Sequence, residues 1–391
     1  MLDDPYAHKE VVLRVGDRRL ALTTSQELFS AHAVDTGTIA LVRSLRSASI
    51  PPPTRVLDLG CGYGPVGLAA KETWPGAAVT VADRDALAVD YAAANAGANG
   101  LEVEAVGSVG YDEVGTGPDL VVSNVPGKAP DLVHRELLVA PLGAARTAAV
   151  VVVEPLVGRV DELLAGAGAT VALRELGARH AVFHYHLPPG EAPGATAVDR
   201  GVYDRAVVPL ALPSGTVEVR TVHGVREFDQ LGYDTELGLE LLAGIAASDV
   251  LLTNPGQGHL GAALALGAGP ASMLVVDRDL LALRATARNL AALGAAPTPA
   301  VRHATSLGVV PAIDLAVLPL RPKEPRPVLV AALAGAAAAL RPGGRVIVLG
   351  RAAAVRRLLV NLDLGTLALR RGRELRARGH AALELLARSR A

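Results

Sequence analysis

Three short clusters in this 391-residue chain hold residue types suited to chemistry. The first is Asp58-Leu59-Gly60-Cys61-Gly62-Tyr63-Gly64, an acid followed by glycines at every second position. Glycine is needed where a backbone turns sharply or lets a ligand come close. The second is Asp83-Arg84, where a carboxylate at a strand end can accept hydrogen bonds from both hydroxyls of a ribose. The third is Ser123-Asn124-Val125-Pro126. There the Asn124 side chain and the next carbonyl can accept hydrogen bonds from an amino group and aim its lone pair at an electrophile, so that catalysis is mostly positioning.

The elements that would carry these clusters are visible. Apolar runs at 56–57, 78–82 and 120–122 end at them, and a helical pattern starts at Val66. This reads as strand, glycine loop and helix N-terminus, with ligands expected outside the carboxyl ends of the strands. Upstream, Phe29, Asp35, Gly37 and Thr38 precede the core, with Asp35 or Thr36 as a helix N-cap. Hairpins are expected at 11–22 around Gly16-Asp17 and at 217–228 around His223-Gly224, and final strand pairs at 170–186 and 366–387.

The chain also repeats itself. Residues 56–64 align with 250–258, 81–85 with 275–279, Asn95 with Asn289, and 119–122 with 314–317. Phe29 and Asp35 align with Phe228 and Asp234. A Pro- and Gly-rich stretch at 187–194 separates two units, 1–190 and 191–391. Alternating strands and helices give an α/β class: two tandem Rossmann-like, doubly wound, mostly parallel sheets. In the second copy Asp58 becomes Leu252, Gly60 becomes Asn254, Cys61 becomes Pro255, and Asn124-Val125-Pro126 becomes Pro319-Leu320-Arg321. Only the acid Asp277 and two glycines survive, so the second unit is expected to keep the fold and lose the ligand.

Composition narrows the class. Apolar residues make up 50% and aromatics only 3%, which suits Ala/Val/Leu cores between helices and parallel strands. The longest apolar helical stretch, 328–340, is too short to span a bilayer. The start of the chain has early acids and no apolar signal region, and Cys61 is the only cysteine; a cytoplasmic enzyme is expected. Residues 1–200 hold 16 basic and 24 acidic side chains (−8), and 201–391 hold 22 and 15 (+7), so the second half is the one suited to an anionic partner. No Cys or acid sits at metal spacing near His180, His184 and His186, and no metal is expected.

Together, Phe29…Asp35-Thr36-Gly37-Thr38, 56–67, Asp83…Asn95 and Ser123-Asn124-Val125-Pro126 resemble the small-domain methyltransferases of class I, which use S-adenosylmethionine (SAM). Within that family the resemblance is to the RsmC/RlmG-type rRNA guanine-N2 methyltransferases, which also pair an active and a degenerate domain. It implies that Gly60, Cys61, Gly62 and Gly64 approach the methionine part of SAM and that Asp58 faces its ammonium. It further implies Asp83 and Arg84 at the ribose, Ser108 beside the adenine, and Asp35 and Thr38 closing over the methionine end. Asn124, Val125 and Pro126 would form the catalytic turn, with Phe29, Gly127, Lys128 and the basic run Arg370, Arg371, Arg373 on the substrate side. Three departures stand out. Gly127 replaces an aromatic expected to stack on a flipped base, Val109 replaces an acid expected near the adenine, and the degenerate domain comes second rather than first.

A Rossmann NAD protein is the structural competitor, although its Gly-x-Gly-x-x-Gly spacing differs. Among methyltransferase readings, RNA with an exocyclic amine stands beside a small-molecule or protein-amide acceptor, favoured by the missing aromatic and the acidic first half. A non-catalytic SAM-binding protein is the third reading, and Asp58, Asp83 and Asn124 argue against it.

Overall fold

The structure, a computed structural model, describes residues 4–47, 49–115 and 117–388. Two compact units divide the chain, Met1–Tyr203 and Asp204–Ala391. The division lies past the linker expected near residue 190. Residues beyond that linker are held by the first unit: the Ala197 amide donates to Asp112 at 2.8 Å and Arg200 pairs with buried Glu136 at 2.5 Å.

The first unit opens with a hairpin, β1 (Ala7–Val15) and β2 (Arg18–Ser25), followed by α1 (Thr36–Ser44). Then come β3 (Arg55–Leu59), α2 (Pro65–Thr73), β4 (Ala78–Asp83), α3 (Ala86–Ala98), β5 (Glu104–Gly107), β6 (Leu120–Asn124), α4 (Asp131–Val139), β7 (Arg146–Val153) and α5 (Val157–Gly166). β8 (Thr170–Leu176) and β9 (His180–Leu187) close it. The sheet order is β5-β4-β3-β6-β7-β9-β8, with the first five strands parallel and the last two antiparallel. The central strands are continuous apolar runs because helices cover both faces. The edge strand β8 is largely exposed and mixes Thr170, Arg174 and Glu175 with apolar residues. Order reverses beside β3, so the ends of β3, β4 and β6 converge on one crevice.

The second unit repeats this plan: β10 (Asp204–Leu212), β11 (Gly215–Val222), α6 (Tyr233–Leu242), β12 (Asp249–Thr253), α7 (His259–Ala263), β13 (Ser272–Asp277), α8 (Leu280–Ala292) and β14 (Ala300–His303). It continues through β15 (Ile313–Pro319), α9 (Arg326–Ala339), β16 (Leu340–Arg351), α10 (Ala352–Leu359), β17 (Leu369–Ala377) and β18 (His380–Ala387), in the order β14-β13-β12-β15-β16-β18-β17. The hairpin expected at 217–228 is instead β10 with β11, turning at Pro213-Ser214. The alternation at 217–222 belongs to its second arm, and His223-Gly224 lies beyond it. No helix among the described residues is long and apolar enough to cross a membrane.

Equivalent side chains clamp both copies. Asn95, fully buried on α3, accepts from the Thr23 amide at 2.8 Å and donates to the carbonyls of Thr23 at 3.0 Å and Tyr63 at 2.9 Å. Asn289 makes the same three bonds to Arg220 and Gln257. One amide thus fastens the opening hairpin and the glycine loop to one helix. Asn95→Ala leaves these groups unsatisfied and is expected to cost the first unit about 2–4 kcal/mol. Urea unfolding followed by the single tryptophan, Trp74, reads that unit alone.

Candidate active site

The glycine loop is pinned across two strands. The amides of Gly60 and Cys61 both donate to the Ala82 carbonyl, at 2.8 and 3.0 Å. Gly60 and Gly62 have φ of +75° and +54°, and a Cβ on either would meet nothing within 4 Å. The backbone therefore borders open space, a cradle that side chains would fill. Gly64 serves packing instead: at φ +93° its Cβ would lie 3.2 Å from the Ala92 Cα. Cys61 contributes only backbone, because its thiol is buried and burial, with Asp83 and Asp58 nearby, drives its pKa well up.

Asp58 lies beneath this cradle, buried, its Oδ2 accepting from the Gly67 amide at 2.7 Å. Burial pushes its pKa up to about 7; the Gly67 bond opposes this and the charge of Asp83 adds to it. Burial without a counter-ion thus favours the neutral form of this carboxyl. Gly67, unmarked as a site residue by the sequence, must be glycine, since a Cβ would come 2.4 Å from Val81 and 3.0 Å from the Asp58 Oδ2. At the end of β4, Asp83 accepts from the Gly62 amide at 3.0 Å and the Asp85 amide at 3.0 Å, so both oxygens are oriented. Arg84 follows, half-buried. Ser108 does not present its hydroxyl: it is buried, donating to the Gly110 carbonyl and Glu113. Val109 is fully buried and its amide donates to Glu113, so the acid of this loop is Glu113, engaged with the loop's own backbone.

Asn124 ends β6, and the neighbouring Ser123 hydroxyl donates to the Leu59 carbonyl at 2.7 Å, joining β6 to β3 at the glycine loop. The Asn124 Nδ2 donates to Asp35 Oδ2 at 3.2 Å and to Thr38 Oγ1 at 2.9 Å. A carboxylate only accepts, so the amide must face it with nitrogen. Oδ1 is thereby left as an acceptor with no partner among the described residues. Asp35 also caps α1, accepting from Gly37 at 2.9 Å and Thr38 at 3.2 Å. Asp35 and Thr38 thus act on Asn124 from the neighbouring helix.

Val125 is buried with its amide on the Val151 carbonyl, and the exposed Pro126 is held through its carbonyl by buried His134 at 2.9 Å. His134 carries no signal in the sequence; its role appears only when α4 packs. At Gly127 a Cβ would come 3.0 Å from the Val153 side chain. Lys128 is exposed and Phe29 is 69% exposed on the loop before α1. Beside Asp35, the partner of Asn124, opens a cavity of about 450 Å³ lined by Asp35, Thr36, Val153, Glu154, Arg179 and His180 among others. Of the three same-parity histidines, His184 is buried between Ser44 and Ser49, at 2.8 and 2.6 Å, and His186 meets Thr147 at 3.0 Å. Only His180 reaches the cavity.

In the second unit the loop backbone persists without the site. Asn254, Gly256 and Gly258 have φ of +44°, +59° and +94°, close to their counterparts. Arg321 fills the place instead, donating to Asn254 at 2.9 Å and pairing with buried Asp277. Burial raises the Asp277 pKa while Arg321 opposes it. The alignment of Asp35 with Asp234 is two residues out: Thr24 and Thr221 bond equivalently, to Ala31 and Phe228, which places Asp35 opposite Gly232, the N-cap of α6. Arg370, Arg371 and Arg373 stand exposed on the edge strand β17, their side chains without ion pairs among the described residues.

The open cradle, the buried carboxylate under it and the oriented Asp83 fit SAM: Gly60 and Gly62 for close backbone approach, Asp58 for the ammonium, Asp83 for the ribose.

Comparison with known proteins agrees with this geometry. The family described as "Methyltransferase small domain" matches residues 19–148, all within the first unit. The small-subunit rRNA methyltransferase C of Hahella chejuensis is 39% identical over 107 residues, 27% of this chain and 30% of that protein. Its Pasteurella multocida counterpart is 36% identical over 113 residues, 29% and 33% of the two chains. The aligned part thus spans about a third of these relatives' length. In three dimensions, the T. thermophilus 16S rRNA N2 G1207 methyltransferase (RsmC), solved with AdoMet and guanosine, superimposes over 98% of this chain and 99% of its own. The TM-score is 0.65 at 20% identity, so the tandem fold is shared.

The state of Asp58 carries a stability signature. Its folded pKa of about 7 lies above the ordinary 3.8, so the free protein loses stability as pH rises from about 4 to about 7 and is level beyond. Asp58→Asn removes that slope. Above pH 7 the variant is expected to gain on the order of 4 kcal/mol over wild type relative to their difference at pH 4, read by Trp74 fluorescence in urea across the pH range.

Proposed function

We propose that the first unit binds SAM and transfers its methyl group to the exocyclic N2 amine of a guanine in small-subunit ribosomal RNA, and that the second unit contributes RNA-binding surface. The observation that carries this reading is the Asn124 amide, oriented by Asp35 and Thr38 beside a cradle with Asp58 and Asp83. The relatives' names and the shared tandem fold support the rRNA substrate.

When bound, SAM supplies an electrophilic methyl group on a sulfonium. The chain's task is to hold the acceptor nitrogen in line with it. Asn124 Oδ1 and the Val125 carbonyl accept the two N–H bonds of the amine, which turns the lone pair toward the methyl carbon. Held by Gly60, Gly62, Asp58 and Asp83, SAM would supply the methyl group, its sulfur keeping the C–S electron pair as the N–C bond forms, and the amine's extra proton would pass to water. His134 and the Val125 amide fix the turn, so the acceptors do not reorganise during the reaction. The second unit, its pocket closed by Arg321, offers instead the exposed arginines of β17.

Radiolabelled SAM, small-subunit rRNA and mass spectrometry of the digested nucleosides test this reading. Label in N2-methylguanosine is the expected result; label in protein alone, or none, overturns it. Asn124→Ala is expected to lower kcat about 100-fold or more while leaving SAM affinity unchanged, because only the positioning of the amine is lost. Replacing Arg370, Arg371 and Arg373 together by Ala should weaken rRNA binding at low salt and reduce the salt-dependence slope by about 2–3, measured by filter binding across a salt series.

A further inference from the structure

The cavity beside Asp35 contains a charged pair that no step above uses. Its backbone frame is rigid: the Glu154 amide donates to the Arg179 carbonyl at 2.9 Å where β7 and β9 end, which makes the two residues neighbours. Yet their side chains form no ion pair or hydrogen bond with each other or with any other described residue, although both line the same cavity. Asp35, the other carboxylate in the wall, already accepts three N–H groups through one oxygen. Glu154 is the carboxylate of the wall with neither oxygen engaged, and Arg179 is its guanidinium with no N–H engaged. The flat elements of the wall are Pro155 and His180; the imidazole packs on Gly37, whose Cβ would lie 2.9 Å from it, and its Nδ1 is 3.5 Å from the Thr36 hydroxyl. A volume of about 450 Å³ is in the range of small-ligand pockets.

We propose that this cavity reads the acceptor base by its edge, Glu154 accepting from guanine N1–H and Arg179 donating to O6 and N7, with His180 and Pro155 against the ring. The assignment rests on the functional reading above and names its base selectivity. The order of groups on the base fits: with N2 at Asn124, N1–H comes next, then O6 and N7. Arginine makes its bidentate contact with O6 and N7. Adenine and 2,6-diaminopurine reverse this edge, placing a lone pair at N1 against Glu154 and an amino group against Arg179. Each is rejected because charged groups are left facing like partners. Histidine serves as a stacking surface for unpaired bases, so the wall supplies what Gly127 does not.

The discriminating probe is 2,6-diaminopurine riboside, which keeps the reactive 2-amino group and inverts the rest of the edge. Titrated by NMR into the SAM-saturated full chain, guanosine is expected to bind about tenfold or more tightly than this analogue. Glu154→Gln, whose amide can donate to N1, should erase that preference, and Arg179→Ala should weaken guanosine about tenfold. Both side chains are exposed, so SAM affinity should stay at the wild-type value. Equal binding of the two nucleosides by wild type, or an unchanged preference in Glu154→Gln, overturns the assignment. A wild type that makes no N2-methylguanosine in rRNA overturns the functional reading itself, and the two failures are told apart by that measurement.

Discussion

One carboxylate oxygen organises the catalytic end of the first unit. Asp35 Oδ2 accepts from Gly37, Thr38 and Asn124 at once. Two of these bonds cap α1 and the third sets the amide that ends β6. The start of a helix, the end of a strand and the orientation of a side chain are therefore a single arrangement. An asparagine alone can flip at small cost; against a carboxylate it cannot, because oxygen would face oxygen. The free Oδ1 of Asn124 is a by-product of helix capping, and Asp35 itself lines the neighbouring cavity.

The two repeats show which parts of such a site belong to the fold and which to the ligand. Left-handed backbone positions recur in both loops, and Asn95 and Asn289 hold both opening hairpins. Asp119 and Asp314 likewise each accept from two amides at the start of the first parallel strand. These residues stabilise the backbone and survive. Asp58 is different, since burying its charge costs stability without a counter-ion, and Leu252 stands in its place. Asp277 remains because Arg321 replaces the missing ligand.

Much of this was legible because glycine loops, strand-end acids and repeats are written in adjacent residues. Two tandem sheets, the loop at 58–64, Asp83 and the turn at Asn124 all lie where the spacing put them. What was hidden depends on packing across distance. His134 and Glu113 act through loops that only a folded chain brings to them. Glu154 and Arg179 sit 25 positions apart in sequence and meet because β7 and β9 run antiparallel. The second hairpin was displaced because alternation marks a strand without saying which arm of a hairpin it is. Asp234 mimicked Asp35 in sequence, but the loops from β2 to α1 and from β11 to α6 are equally long, which puts Gly232 at the cap.

The plug at Arg321 has a thermodynamic consequence. A protein that carries its counter-ion within its own chain has the same folding free energy at any ligand concentration. One that waits for a cation gains stability only by mass action. Asp277 thus keeps its counter-ion under all conditions, whereas on the proposed reading the first unit also answers to the supply of methyl donor. If the first unit binds SAM as proposed, a fall in that supply lowers its protection against unfolding and proteolysis, and its lifetime becomes a gauge of methyl-donor abundance.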